Sequence, residues 1–195
     1  MYMSSSYTKT RIMVECALMI ALGTILANIK IYELPNGGSI TLFSMVPFIL
    51  VSFRHGVKWG LFTGFVNSLL QMLLGFYAPP APGLLPLVGM ILLDYVLAFG
   101  VIGIAGLGRG KPHGIFWGSV LGGAARFVVH YISGITIYKI LAPTEIFGTV
   151  FDNPALYSLI YNGSYVGIDL VLCLVIFGIL YAPLKTYMTG ADLRR

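Results

Sequence analysis

The chain has 195 residues, of which 57% are hydrophobic and 10% charged, against roughly 25% charged residues in a soluble domain. That is too little charge to cover a water-facing surface, and a mean hydropathy of +0.88 points to lipid instead. At about 20 residues per span, six spans and their short loops use up the length, which predicts an all-α membrane protein forming a single domain over 1–195.

The polar stretch Met1 to Arg11, with Lys9 and Arg11 ahead of an apolar run, resembles a signal n-region. The apolar run is as long as a full span and no A-x-A cleavage site follows, so it is read as a first helix over 11–29. Within it, Ala17-Leu18-Met19-Ile20-Ala21 is a small-xxx-small pattern that lets another helix pack closely, either within the molecule or from a partner. Leu34 to Ser39 is turn-rich. A second apolar run, 42–54, is too short to span upright and is read as tilted or partly re-entrant. The basic residues from Arg54 to Lys58 are read as a lipid-facing topology anchor.

A third helix is expected over 57–76. The segment Tyr77 to Gly83 is uncharged and stiffened by proline, and leads to a fourth helix over 85–107. The glycine-rich stretch Gly103 to Lys111 lacks the GxxxxGK[ST] spacing, so it reads as helix termination and the chain is not expected to hydrolyse ATP. A fifth helix is expected over 115–140 and a sixth over 156–184. The loop between them is punctuated by Ala142-Pro143-Thr144 and Asp152-Asn153-Pro154. These loops either cover a pocket or merely connect helices. Cys16 and Cys173 fall inside apolar runs without metal-ligand spacing and read as small core residues.

Basic residues orient the layout. Lys9, Arg11, Arg54, Lys58, Arg109, Lys111, Lys185, Arg194 and Arg195 fall on one side, and only Lys30 and Lys139 on the other, together with Glu33, Glu145 and Asp152. By the positive-inside rule both termini are cytoplasmic. The bias accounts for the net charge of +5 without a nucleic-acid partner.

Ionisable side chains at membrane depth are costly and mark functional sites. Asp94 lies in the fourth helix, Arg126 and His130 in the fifth, Asp169 in the sixth and Glu15 near the inner end of the first. Arg126, His130, Gly134 and Tyr138 recur every four residues, so they form one slowly winding stripe on the fifth helix. Tyr157, Tyr161, Asn162 and Tyr165 add hydrogen-bonding groups on the sixth. A carboxylate with the aromatics Tyr95, Tyr131 and Tyr138 suits a flat organic cation. The alternatives are an Asp94–Arg126 pair that only locks two helices, and His130 as a structural donor to a backbone carbonyl. His55 and His113 lie on the opposite side from His130, which disfavours a metal site. No HExxH or GxSxG is present, so no catalytic residue is expected.

Taken together, Pro35 to Ser39, Ser52 to Lys58, Leu92-Leu93-Asp94-Tyr95, Arg126 to Gly134 and Tyr157 to Asn162 resemble the thiamine-specific substrate-binding (S) component of energy-coupling factor vitamin transporters, over nearly the whole chain. The resemblance implies a six-helix, multi-pass protein of a prokaryotic cell membrane that binds thiamine near its outer face and is not an enzyme. It implies a membrane T component and two ATPase subunits as partners; these use the ATP, and the chain itself needs no cofactor. The implied ligand-binding residues are Asp94, Tyr95, Arg126, His130, Gly134, Tyr138, Tyr157 and Asn162, and the implied docking residues are Ala17 and Ala21. In those roles Asp94 neutralises the thiazolium, and Tyr138 and His130 stack on the rings. Asn162, Tyr157 and Arg126 meet polar edges, and Gly134 admits the ligand to the helix backbone. Some members carry Glu, Lys and Trp where this chain has Asp94, Arg126 and Tyr138, and a tryptophan in the first external loop that is absent here. Two other readings stay open: an S component for another vitamin or precursor such as a hydroxymethylpyrimidine, and an intramembrane enzyme using Asp94 and His130 as acid and base.

Overall fold

The computed structural model describes residues 5–141 and 144–194. Residues 1–4 of the N-terminal stretch, the loop residues Ala142 and Pro143, and the basic Arg195 lie outside the described residues. The helices are α1 Ser5–Asn28, α2 Val46–His55, α3 Val57–Gly75, α4 Leu84–Gly108, α5 Gly114–Thr136 and α6 Pro154–Met188. Among the described residues four helices are long and apolar enough to cross a membrane, in α1, α4, α5 and α6.

The chain is not purely helical. Lys30–Glu33 (β1) and Ser39–Thr41 (β2) form an antiparallel hairpin, and Thr144–Ile146 (β3) pairs with Thr149–Phe151 (β4). Strands of three or four residues are too short to show a hydrophobic period, so composition reads them as loop. In the second hairpin Phe147 and Gly148 both have positive φ, the backbone of a two-residue turn matched to strand twist. Both hairpins lie at the end of the bundle opposite the termini.

Helix α2 is the central pillar. Pro47 sits in its first turn, where no amide hydrogen is needed, and Gly56 at φ +95° ends it. Pro47 through Arg54 are all buried. Phe48, Ile49 and Phe53 pack with Ile102 of α4, Ile115 of α5, and Cys173 and Phe177 of α6. Both cysteines are buried and free. Ten residues rise only about 15 Å, so α2 fills the half of the bundle nearer the termini and stops short of the hairpins.

The other helices wrap this pillar with apolar faces outward. On α1, Cys16, Ile20 and Gly23 turn inward at helical spacing, while Met13, Val14, Leu18, Leu22 and Ile25 are exposed. Leu61, Phe62, Leu84, Leu85, Trp117, Val171 and Ile179 extend the apolar exterior, which in water would be an aggregation surface and in lipid is solvated. Helices α3 and α4 approach backbone to backbone: a Cβ on Gly103 would sit 2.3 Å from the Leu61 nitrogen. Asp94 lies in a π-helical segment of α4, Ile91–Leu97, a local widening frequent at functional sites.

At the end carrying the termini, Arg54 corrects the sequence reading. It is 1% exposed and does not face lipid. Its guanidinium donates to Glu15 of α1 at 3.0 Å and to Asp192 at 3.0 Å. It also donates to the Tyr187 carbonyl and lies 3.6 Å from the Tyr187 ring centroid. Arg11 pairs with the same two carboxylates, and His55 lies 2.8 Å from Glu15. Carboxylates 39 and 138 residues away along the chain set this burial, which no local pattern around Arg54 encodes. Lys58 is exposed. Replacing Arg54 by Met strips the cation from two paired carboxylates, and the expected destabilisation is about 3–5 kcal/mol. It is read as a lowered thermal midpoint in detergent, with Lys58→Met close to unchanged.

Candidate functional site

Above the start of α2, where the pillar is missing, lies a cavity of about 400 Å³, within the size range of small-molecule sites. Its wall includes Thr41 and Ser44 just before α2, Asn36 to Ser39 from the first hairpin turn, Phe76 and Tyr77 after α3, and residues of α4, α5 and α6. All eight residues expected at a binding site line it: Asp94, Tyr95, Arg126, His130, Gly134, Tyr138, Tyr157 and Asn162.

Asp94 is held from one side. Its Oδ1 lies 3.0 Å from His130 Nδ1, and its Oδ2 accepts from the Ser133 hydroxyl at 2.6 Å. Because a carboxylate only accepts, Nδ1 carries a proton, which leaves Nε2 of a neutral ring as an acceptor. That Nε2 has no protein partner among the described residues. The Asp94 side chain keeps 18% exposure, and each of its oxygens retains acceptor capacity toward the cavity.

The Asp94–Arg126 pair weighed from the sequence does not form. Arg126 lies instead 3.8 Å from Asp169 Oδ2, too far for a hydrogen bond. Its Nε and Nη1 reach no protein acceptor among the described residues, and its Cζ lies 5.2 Å from the Phe99 ring centroid. A buried donor left unpaired costs about 1–3 kcal/mol, so these donors are unspent hydrogen-bonding capacity beside the cavity. Their neighbour Asp94 favours a cation. Among the described residues no cluster of metal-ligating side chains occurs.

The remaining wall is aromatic. Tyr157 stacks on Tyr161 at 5.4 Å, Tyr161 meets Tyr165 edge-on at 5.7 Å, and Phe76 stacks on Tyr95 at 5.9 Å. Tyr138 closes the α5 stripe from a short 3-10 turn, Tyr138–Leu141. Asn162 is largely committed inside the protein. Its amide donates to the Ser158 carbonyl at 3.0 Å and the His130 carbonyl at 3.3 Å, and its oxygen accepts from Tyr165 at 3.1 Å. It therefore fixes α5 to α6 beside His130. Gly134 also has a packing role: a Cβ there would lie 2.1 Å from Ser158 Oγ. The close approach it permits is of α6, in addition to lining the cavity.

The first hairpin turn contributes more than its sequence suggested. The Gly38 amide donates to the Tyr161 hydroxyl at 2.7 Å, and that hydroxyl donates to the Pro35 carbonyl. Asn36 donates to the Tyr157 hydroxyl at 3.1 Å. The Tyr77 amide donates to the Tyr95 hydroxyl at 2.9 Å. The turn between β1 and β2 and the proline-rich segment are thus tied to the tyrosines and wall the cavity as more than connectors. The four-residue spacing of Tyr157, Tyr161 and Tyr165 was the signal for one tyrosine face; the loop residues that meet it had none.

Gly134→Ala is expected to lower the thermal midpoint by forcing α5 and α6 apart. Adding Ser158→Gly should recover most of the loss, and a melting series of the single and double variants measures both.

A family model described as thiamine transporter protein matches residues 13–188. The thiamine transporter ThiT of Bacillus subtilis is 32% identical, the match covering 87% of this chain and 89% of that protein. ThiT of Lacticaseibacillus paracasei is 30% identical, covering 77% of each. A solved structure of ThiT from Listeria monocytogenes shares the fold, with a TM-score of 0.75 over 92% of this chain and 98% of that one, at 22% identity.

Proposed function

The chain belongs to the thiamine transporter protein family, and from that premise we propose that it is the thiamine-binding membrane subunit of a bacterial vitamin uptake system. The observation that carries the reading is the Asp94 carboxylate, held by His130 and Ser133 yet open to an aromatic-walled cavity. Thiamine has two flat rings joined by a methylene bridge, a permanently charged thiazolium and an aminopyrimidine with a polar edge. A carboxylate neutralises the thiazolium, tyrosine faces attract it, and the free acceptor on His130 and the donors of Arg126 suit the polar edges. The cavity sits at the hairpin end, and the basic residues gather at the other. Under the positive-inside rule the cavity opens to the outside and both termini are cytoplasmic. With α2 and α3 counted, the bundle makes six passes through the cell membrane.

Transport needs energy, and we assign that to partners: a membrane T component and two ATPase subunits. Ala17 and Ala21, which a packing role would bury, are both exposed on α1 among apolar neighbours. A small-residue step on a lipid-facing helix lets a second helix approach closely. An intramembrane enzyme using Asp94 and His130 as acid and base is separated from a binding subunit by whether thiamine is bound without turnover. A related vitamin precursor as ligand is separated from thiamine by a panel of ligands.

Titration calorimetry with thiamine tests the site. Asp94→Asn is expected to weaken binding by about tenfold or more, and unchanged affinity removes Asp94 from it. Replacing both Ala17 and Ala21 by Trp is expected to abolish uptake by cells while purified protein still binds thiamine. Loss of binding as well would indicate damage to the fold.

A further inference from the structure

The cavity carries a charge problem that thiamine binding has to solve. Apart from its tyrosines, its ionisable wall residues are Lys30 and Glu33, paired with each other at 2.6 Å, and Asp94, Arg126 and His130. With the imidazole neutral, Arg126 cancels Asp94. A wall of zero formal charge offers a cation little. Asp169 changes that sum. It is 3% exposed, does not line the cavity, and stands behind Arg126 with Oδ2 3.8 Å from Nη1. Its other partners are the amide of Thr41 at 2.8 Å and the Thr41 hydroxyl at 3.2 Å. Burial opposes its charge, while the guanidinium and these two donors favour it.

We propose that Asp169 is a specificity-determining residue that never touches the ligand: it neutralises Arg126 from behind, so that Asp94 keeps one uncompensated negative charge for a cationic ligand. Two further features fit. At 3.8 Å the carboxylate compensates the guanidinium charge without forming a hydrogen bond to its Nε or Nη1. The same carboxylate grips Thr41, the last residue of β2, so the charge that tunes the cavity also anchors the hairpin that walls it. The inference rests on the thiamine reading, and its test separates the two.

The test compares affinities for thiamine and for a neutral isostere in which a thiophene replaces the thiazolium, by titration calorimetry on purified protein. Wild type is expected to prefer the cation. Asp169→Asn is expected to lower that preference by about tenfold, acting mainly on thiamine. The double variant Arg126→Met with Asp169→Asn removes one charge of each sign and is expected to return the preference to the wild-type ratio, even where absolute affinity falls. A merely structural role would weaken both ligands alike and leave the ratio unmoved, which overturns the proposal. So does a double variant that stays at the ratio of the single one. If Asp169→Asn does not fold, Asp169→Ser replaces it. If neither single variant folds, a folded double variant at the wild-type ratio supports the proposal and one shifted by about tenfold contradicts it. Wild type that binds no thiamine defeats the proposed function and not the charge balance.

Discussion

One carboxylate organises this molecule. Asp94 places a negative charge at membrane depth, where an unsolvated ion is costly unless it is paired or hydrogen-bonded. His130 and Ser133 supply donors from α5, one to each oxygen. Those two bonds hold the carboxylate without surrounding it, and its remaining acceptor capacity is turned to a hollow walled by tyrosines. The π-helical segment of α4 presents Asp94 and Tyr95 to that hollow together. A carboxylate placed this way suits a cation, and the aromatic faces around it suit the same guest.

The hollow exists because α2 is short. A ten-residue helix, buried along nearly its whole length, fills the bundle from the terminal end and leaves the opposite end to a separate cluster of Leu34, Ile146 and the α6 tyrosines. There the first hairpin, the Tyr77 segment and the α6 tyrosines close in, joined by bonds from loop backbone to tyrosine hydroxyls. Rigidity comes from below. Arg54 draws α1, α2 and the C-terminal turn into one ionic cluster, and glycine at the α3–α4 contact brings backbones together. The binding end is built from hairpins and loops on a firm base, which suits a pocket that must admit and release its guest.

Much of this was legible from the residues. The low charge content and the long apolar runs give the membrane helices, and the four-residue recurrence of Arg126, His130, Gly134 and Tyr138 gives the cavity face of α5. What escaped depends on partners distant in the chain. Arg54 reads locally as a surface cation, and only Glu15 and Asp192 make it a buried one. Arg126 reads as a partner for Asp94, yet the fold brings it to Asp169 and gives Asp94 to His130 and Ser133. The hairpins are too short to leave a period. Gly134 reads as room for a ligand, whereas the space it provides is also taken by Ser158 of the neighbouring helix.

The central claim is that a thiazolium rests against Asp94 inside this cavity. An experimental structure of the protein saturated with thiamine tests it most directly. The account requires ligand density between α4, α5 and α6, with the thiazolium ring within about 4 Å of the Asp94 carboxylate and tyrosine faces on its flanks. Thiamine seated elsewhere, or in the cavity with its charged ring turned away from Asp94, contradicts it.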